Sequence, residues 1–455
     1  MLRVINPTTG TLLHDYPALN HAELDERMEA SEQAYRGWRK RSFPQRAEVL
    51  MNVAGYLREH TDELARPMTE EMGKPVGEAR GEVLKAAWCA EHYAEHAEGY
   101  LAAQTLASDA TRSYVQHLPL GPVLGILPWN APFWLAFRFA APALMAGNTC
   151  LMKHDPHVPA CAEAIAGCFE AAGAPAGTFQ NLPLQNNDVA AAIQHPRVRA
   201  VSFTGSSAAG GKVAATAAAA IKPVVLELGG SDPAIVLADA DLEEAAKNIA
   251  LSRLINAGQS CIAAKRIIVE SPAYERFLSL LQAEMEKYRV GDPSDEQNQI
   301  GPIARSDLRD NLARQVRATI DAGARCLLGG TIPEGDGFFY PVTLLCDVHN
   351  DMPACREETF GPVAVVLKAR DLAHALGIAN DTEYGLAASI WTDTARGEAL
   401  ATEIEAGQVV VNGLVKTDPR LPSGGIKKSG IGRELGPHGI FEFVNVQQVW
   451  VGPKV

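Results

Sequence analysis

The sequence lacks any cysteine arrangement that would indicate disulfides, a redox motif or a zinc site. Its eight cysteines form no CxxC pair, and none stands with histidine at the spacing of zinc ligands. The opening residues, MLRVINPTTGTLLHDY, also lack the apolar segment and small-residue cleavage site of an export signal. We therefore expect reduced thiols, no structural metal and a cytoplasmic location.

Blocks of basic residues and long uninterrupted apolar runs are also missing. The chain has 54 Asp and Glu against 41 Lys and Arg, a formal net charge of −13, which gives no general attraction to phosphate backbones or anionic lipid. The longest apolar stretch, residues 121–148, is interrupted by Asn130, Arg138 and several prolines, which argues against a membrane span. We expect neither nucleic acid nor a membrane as a partner.

The order of predicted elements indicates an α/β protein with more than one domain, since 455 residues exceed one ordinary hydrophobic core. Helices are predicted from apolar periodicity at residues 22–38, 44–72, 81–100 and 160–172. Strands are predicted at residues 112–118, 123–127, 148–153, 198–203 and 233–237. The alternation from residue 120 onwards is typical of parallel sheets, and a second α/β block begins near residue 229.

Two segments read as strands at the edge of a sheet. Arg112–Leu118 alternates apolar and polar residues, and Ile440–Val451 is strand-like and rich in apolar residues. An exposed edge of this kind is normally covered by another chain. We therefore expect a homodimer or a homotetramer.

Three residues are placed where they would suit covalent catalysis, and each also has an ordinary structural explanation. Cys261 follows the polar turn INAGQS and is either a nucleophile or a small buried hydrophobic residue. Glu227 ends an apolar strand before two glycines, where it is a desolvated general base or a salt-bridged strand end. Asn130 lies on the turn LPWNAP, which two prolines make rigid. Its side chain either donates to an oxyanion or forms an Asx turn.

The segment FTGSSAAGG, residues 203–211, places glycine and serine between a strand and a helix N-terminus. Free N–H groups and the helix dipole favour an anionic group such as a pyrophosphate there. A simple glycine-serine turn explains the local sequence equally well.

Taken together, these segments resemble the aldehyde dehydrogenase superfamily over essentially the whole chain. The motifs that carry the resemblance are EEMGKP, LPWNAPFW, FTGS, LELGGSDPAIVL, NAGQSC, EETFGPV and GGIKKSGIGRE. The run KHDPHVP and the segment SDPAIV are most similar to the bacterial NAD(P)-dependent succinate-semialdehyde dehydrogenase branch.

The resemblance implies a domain architecture and a role for each catalytic residue. It implies a Rossmann-like parallel-sheet cofactor domain (1–110 and 120–229), an α/β catalytic domain (230–430) and a small β extension for oligomerisation (111–119 and 438–455). Cys261 would attack the aldehyde to give a thiohemiacetal and then a thioester. The Asn130 amide and the Cys261 N–H would hold the oxyanion, and Glu227 would activate the hydrolytic water.

The resemblance also assigns the cofactor site. The residues it assigns to NAD or NADP are Leu127, Trp129, Lys153, Gly205, Ser206, Leu228, Glu358 and Phe360. Many NAD-preferring members carry a glutamate three residues after the lysine, where this chain has Pro156. We therefore expect both cofactors to work, with NAD slightly favoured because Asp155 is adjacent.

For the substrate, the resemblance assigns Arg138 to the distal carboxylate of succinate semialdehyde, with an interdomain salt bridge as the alternative. Related enzymes often have a second arginine where this chain has Ile255, which favours an uncharged aliphatic aldehyde instead. Two further alternatives are a CoA-acylating dehydrogenase and a non-catalytic, crystallin-like structural protein. The presence of Glu227 argues against the first, because a base serves hydrolysis. Intact Cys261, Glu227 and Asn130 argue against the second.

Overall fold

The chain begins with an antiparallel hairpin and four helices, followed by two strands of a small sheet. The computed structural model describes residues 1–453. Residues 454 and 455, which end the predicted oligomerisation tail 438–455, lie outside the described residues. The elements of this first part are β1 Leu2–Ile5, β2 Leu12–Tyr16, α1 His21–Trp38, α2 Phe43–Glu59, α3 Thr61–Met72, α4 Val76–Tyr100, β3 Gln104–Thr105 and β4 Arg112–Pro119.

The first large sheet follows, with helices between its strands. Its elements are β5 Pro122–Leu127, α5 Pro132–Met145, β6 Thr149–His154, α6 Pro159–Ala171, β7 Phe179–Asn181, α7 Val189–Gln194, β8 Ala200–Thr204, α8 Ser207–Ala219 and β9 Val224–Glu227. The chain runs from β5 outwards to β6 and β7, and then returns to β8 and β9 on the other side of β5. This reversal creates a switch point, where open parallel sheets bind ligands beyond their carboxyl ends.

A second sheet of seven strands is built in the same way, in the order β12-β13-β14-β11-β10-β15-β16, parallel except for β12. Its elements are β10 Pro233–Val236, α9 Leu242–Leu254, β11 Arg266–Glu270, α10 Tyr274–Met285, α11 Ser306–Asp321, β12 Arg325–Leu328, β13 Thr343–Cys346, α12 Pro353–Arg356, β14 Val363–Ala369, α13 Leu372–Asn380, β15 Ala387–Trp391, α14 Thr394–Leu400 and β16 Gln408–Val411.

The end of the chain returns to the first part of the molecule. Its elements are β17 Gly430–Ile431, α15 Gly436–Phe441 and β18 Val444–Val451. Strand β17 pairs antiparallel with β9 and completes the order β17-β9-β8-β5-β6-β7 of the first sheet. Strand β18 pairs antiparallel with β4 along its full length, and β3 adds a third, short strand.

The predicted α/β class with parallel sheets is confirmed. The single helix predicted over 44–72 is wrong, since His60 leaves helical geometry and separates α2 from α3. The strand predicted from Ile440 is also wrong in its first four residues, because Gly436–Phe441 forms α15 and the strand begins at Val444. The hairpin β1–β2 was not predicted. No helix within residues 1–453 is long and apolar enough to span a bilayer.

Candidate active site

The loop that carries Cys261 has a strained backbone that other parts of the chain hold in place. Asn256, Ala257 and Gly258 all have positive φ, at 56°, 53° and 72°. Such angles are costly for residues other than glycine and persist only where the surroundings enforce them. Arg253, which is fully buried, donates to the carbonyls of Gly258 and Thr359 at 3.2 and 3.0 Å. This arginine therefore fastens the cysteine loop to the segment after α12.

Gly258 is required by a close approach between these two segments. A Cβ atom at this position would lie 2.2 Å from the carbonyl oxygen of Gly361. Real Cβ atoms do not come so close to backbone, so a larger residue would push the loops apart. The loop geometry that presents Cys261 therefore depends on glycine at position 258.

Cys261 lines a cavity of about 430 Å³ and is partly exposed there. The other cysteines are buried, apart from the exposed Cys326. Burial raises the pKa of the Cys261 thiol to about 11, while the positive charges of Lys265 and Arg138 act to lower it. In this conformation the group is a thiol at neutral pH, so nucleophilic attack requires a base that removes its proton.

Asn130 lies between β5 and α5 and is fixed on both sides. Its side-chain nitrogen donates to the carbonyl of Gln259 at 3.0 Å. Its own carbonyl accepts from Lys74 Nζ at 2.9 Å and from Asn256 Nδ2 at 2.8 Å. The amide therefore stands rigidly against the cysteine loop and keeps a second N–H for a ligand in the cavity.

Glu227 belongs to a buried cluster of charges instead of the cavity wall. Its side chain at the end of β9 is 4% exposed, and its Oε2 accepts from Arg138 at 3.0 Å. Arg138 also lies 2.6 Å from Glu434 Oε2. Burial raises the pKa of Glu227 to about 7, opposed by Arg138 and reinforced by the charge of Glu434. A carboxyl group of this kind changes protonation near neutral pH.

Gly424 confines the Glu227 carboxyl group from the other side. Its φ is 148°, and a Cβ atom there would lie 2.7 Å from Glu227 Oε1. That oxygen is buried and has no hydrogen-bond partner within the described chain. This oxygen is therefore available to a water molecule or a proton.

The predicted cofactor residues converge on the carboxyl ends of the parallel strands in the first sheet. Leu127 ends β5, Lys153 lies near the end of β6, and Gly205 follows β8. Ser206 caps the N-terminus of α8, where its hydroxyl accepts from Ala209 N at 3.3 Å. Strand ends at a switch point and a free helix N-terminus together form the expected site for a dinucleotide pyrophosphate.

The chemistry of this crevice fits an NAD(P) cofactor. Lys153 is buried and donates to Asn186 Oδ1 at 2.7 Å, and burial lowers its pKa to about 8. A cation whose partner is a neutral amide suits a ribose hydroxyl or a phosphate. The buried Thr204 Oγ1, directly before Gly205, has no partner among the described residues and is free for a ligand.

The remaining predicted cofactor residues come from both halves of the chain. The resemblance assigns Glu358 and Phe360 to the nicotinamide ribose and ring, and Trp129 to the pyrophosphate region. The rings of Trp129 and Phe360 meet edge to face with centroids 5.7 Å apart. Glu358 Oε1 accepts from Gly230 N at 3.1 Å and lies 3.2 Å from Lys265 Nζ. Leu228 packs against Gly210, where a Cβ atom would lie 2.5 Å from its side chain. Residues 358–361 thus border both the cysteine loop and the strand ends.

Comparison with known proteins agrees with this geometry. The model of the Aldehyde dehydrogenase family matches residues 1–449. The chain belongs to this family. Its α/β fold and its character as an aldehyde dehydrogenase, both expected from sequence, are confirmed.

The relatives of this aldehyde dehydrogenase share its full length. It is 45% identical over 451 residues to a probable succinate-semialdehyde dehydrogenase [NADP(+)] of Synechocystis sp., covering 99% of both chains. It is 44% identical to the succinate semialdehyde dehydrogenase [NAD(P)+] Sad of Escherichia coli K12, covering 98% of this chain and 97% of the relative. The structure of succinic semialdehyde dehydrogenase from Streptococcus pyogenes with NADP+ matches with a TM-score of 0.97 at 34% identity over 100% of both chains.

Several residues of the dehydrogenase site were not predicted. These are Glu434, Lys265, Asn186, Thr417 and Lys85. Glu434 lies within the motif GGIKKSGIGRE, and Lys265 lies four residues after Cys261, so proximity to motifs was an available signal. Asn186, Thr417 and Lys85 lie outside every recognised motif, and only the fold brings them to the site.

Proposed function

We propose that this aldehyde dehydrogenase oxidises succinate semialdehyde to succinate with NAD(P)+ through a thioester on Cys261. The observation that carries the proposal is one cavity lined by Cys261, by the fixed amide of Asn130 and by cationic side chains. The relatives that are named succinate-semialdehyde dehydrogenases support this choice of aldehyde.

In the first step, the Cys261 sulfur bonds to the aldehyde carbon and the carbonyl oxygen becomes an oxyanion. Burial holds the pKa of the thiol near 11, so its proton passes to solvent water in the cavity, where Cys261 is partly exposed. The second N–H of the Asn130 amide and the backbone N–H of Cys261 would hold the oxyanion. Because hydrogen bonds to Gln259, Lys74 and Asn256 already fix Asn130, little reorganisation is needed as the charge develops.

Bound NAD(P)+ supplies the hydride acceptor that converts the thiohemiacetal into a thioester. Glu358 and Phe360 would hold the nicotinamide ribose and ring, Trp129, Gly205 and Ser206 the pyrophosphate, and Lys153 the adenosine ribose. Leu127 and Leu228 provide apolar contacts at the strand ends.

In the last step, water attacks the thioester, and the products are succinate and the free thiol. Glu227 would take the proton from that water, because its pKa near 7 suits a base that works at neutral pH. Its carboxyl group contacts Arg138 and does not line the cavity, so it has to rotate towards Cys261 in this step. A base that serves hydrolysis favours water over a CoA thiol as the acyl acceptor.

We propose that both NAD+ and NADP+ serve as cofactor. Pro156 provides no carboxylate that would repel a 2′-phosphate, and Lys153 supplies a cation nearby. The expectation from sequence that NAD is slightly favoured over NADP depended on Asp155. Its Oδ1 accepts from the backbone of His157 at 3.0 Å, so this carboxylate is engaged in a local turn. We therefore propose that NADP+ is used at least as well as NAD+.

We also propose a cytoplasmic homodimer or homotetramer. Val446 and Trp450 on β18 are 60% and 49% exposed, and this strand lies at the edge of the three-stranded sheet. A second copy would cover these side chains. A reducing compartment would keep the Cys261 thiol free for catalysis. Light scattering of the eluted protein gives the number of copies, and a monomer would contradict this proposal.

Formation of NAD(P)H absorbance with succinate semialdehyde, and of succinate as product, tests the proposed function. Wild-type protein should turn over succinate semialdehyde with a higher kcat/KM than butanal, which has the same number of carbons and no carboxylate. A preference for butanal would instead support an aldehyde dehydrogenase for uncharged aliphatic aldehydes. Absence of turnover with every aldehyde would support the crystallin-like alternative.

A further inference from the structure

Four basic side chains line the cavity that contains Cys261, and they differ in their partners. They are Lys74, Lys85, Arg138 and Lys416. Lys74 is paired with Glu82, and Arg138 is paired with Glu227 and Glu434. Lys416 is exposed to solvent. Within residues 1–453, no carboxylate lies at ion-pair distance from Lys85, although this side chain is half-buried.

The surroundings of Lys85 hold its ammonium group in place with neutral partners. It projects from α4, donates from Nζ to Thr417 Oγ1 at 2.9 Å, and lies 4.2 Å from the ring centroid of Trp134. Because Thr417 Oγ1 accepts this hydrogen bond, its own O–H remains available as a donor. Lys85 and Thr417 thus offer two adjacent donors to an acceptor in the cavity.

We propose that Lys85, together with the hydroxyl group of Thr417, binds the carboxylate of the substrate and so determines specificity for an anionic aldehyde. The inference rests on the proposed function and names the residue that selects the substrate. A carboxylate can accept one hydrogen bond from Lys85 and one from Thr417 on its two oxygens. It also supplies the negative charge that the ammonium group of Lys85 lacks as a partner.

The electrostatics of Lys85 agree with this role. Burial lowers its pKa to about 8, and the positive charge of Arg138 acts in the same direction. The carboxylates whose charges oppose the shift are Glu82 and Asp418, and both have other partners, Lys74 and Arg420. An incoming carboxylate would therefore meet a partly desolvated cation that has no ion-pair partner among residues 1–453.

Arg138, which the resemblance assigned to this role, is less suited to it. Its side chain is 3% exposed, and two carboxylates already lie within 3.0 Å of its guanidinium group. A third carboxylate would add negative charge to a cluster that already carries Glu227 and Glu434. The alternative weighed from sequence was an interdomain salt bridge. Arg138 does form salt bridges, but Glu227 ends β9 and Glu434 follows β17, and both strands belong to the first sheet.

Steady-state kinetics of Lys85→Met with two aldehydes tests the inference. With succinate semialdehyde, kcat/KM should fall about tenfold to a hundredfold through KM, as for loss of a charged hydrogen bond. With butanal, kcat/KM should change less than about twofold, because no charge pairs there. Lys85→Arg should restore most of the activity with succinate semialdehyde. Lys40→Met, which removes an exposed lysine at the end of α1, serves as the charge-matched control.

A second readout separates this inference from the proposed function. Succinate should inhibit butanal oxidation competitively in the wild type, and its inhibition constant should rise at least tenfold in Lys85→Met. This measurement does not require succinate semialdehyde to be a substrate. If wild-type protein rejects succinate semialdehyde, the proposed function fails. If Lys85→Met lowers activity with both aldehydes equally, or leaves the inhibition constant of succinate unchanged, the inference about Lys85 is overturned.

Discussion

The two cations Arg138 and Lys85 line the same cavity but have opposite surroundings. Arg138 is buried between Glu227 and Glu434, so its charge is compensated before any ligand binds. Among the residues that the structure describes, the partners of Lys85 are a hydroxyl group and an aromatic face. The comparison shows that the partners of a cation, more than its charge or its distance from a motif, indicate whether it stabilises the protein or binds a substrate.

The largest effect is expected at Cys261, which lines the same cavity as the two cations. Cys261→Ala should lower turnover at least about a thousandfold, because no other group forms the covalent intermediate. Cys326→Ala is the matched control, since this cysteine is exposed and does not line the cavity, and it should keep wild-type activity. Retention of a tenth of the activity by Cys261→Ala would exclude covalent catalysis at this residue.

The next largest effect should distinguish the two cations by stability. Arg138→Met leaves Glu227 and Glu434 buried without their counterion, which should cost about 3–5 kcal/mol in the free energy of unfolding, measured with urea. Arg276→Met, which breaks the exposed pair with Glu243, should cost less than about 1 kcal/mol.

Activity should separate the same two cations. Where Arg138→Met folds, its activity should fall by the same factor for succinate semialdehyde and butanal, because Glu227 loses its position with either aldehyde. A loss of activity confined to succinate semialdehyde would indicate that Arg138 binds the substrate carboxylate.

Glu227→Gln should act after hydride transfer. Its first turnover should give a burst of about one NAD(P)H per site, followed by a steady state about a hundredfold slower than wild type, since hydrolysis needs Glu227 whereas the thiol proton of Cys261 can pass to water in the cavity. Stopped-flow absorbance at the NAD(P)H band measures both phases. Loss of the burst together with the steady state would mean that Glu227 also removes the proton from the Cys261 thiol.

The pH dependence should differ between the two aldehydes. Glu227 acts as a base only when ionised, so the hydrolysis-limited rate should fall about tenfold per unit below its pKa of about 7 with either aldehyde. Lys85 binds a carboxylate only when protonated, so kcat/KM for succinate semialdehyde should also fall above a pKa of about 8. Profiles for butanal should lack this second decline. Identical profiles above pH 8 would contradict the assignment of Lys85.

The smallest effect concerns the cofactor. The kcat/KM values for NADP+ and NAD+ should differ by less than a thousandfold, which corresponds to about 4 kcal/mol. Asp155→Asn should change this ratio less than about tenfold, because the carboxylate is already engaged with the His157 backbone. Stronger discrimination in the wild type would show that other groups at the ribose end select the cofactor.

The sequence predicted those parts of the site that depend on local pattern. Short segments with a clear local pattern predict the turns that carry Cys261 and Asn130. They also predict the strand ends at Lys153 and Gly205. The pairing of Arg138 with Glu434 was not predictable, because the partners lie in distant segments. Lys85 lies on an alanine-rich helix, where a lysine is normally solvated. Only the packing of Trp134 and Thr417 around it reveals a partly desolvated cation.

The central claim is that the aldehyde carbon of the substrate becomes the carbonyl carbon of a thioester with Cys261. Mass spectrometry of Glu227→Gln, quenched in acid shortly after mixing with succinate semialdehyde and NADP+, tests it most directly. The account predicts one succinyl group per chain, located on the peptide that contains Cys261 and absent without cofactor. NADPH formation with no adduct, or an adduct on any other cysteine, would contradict it.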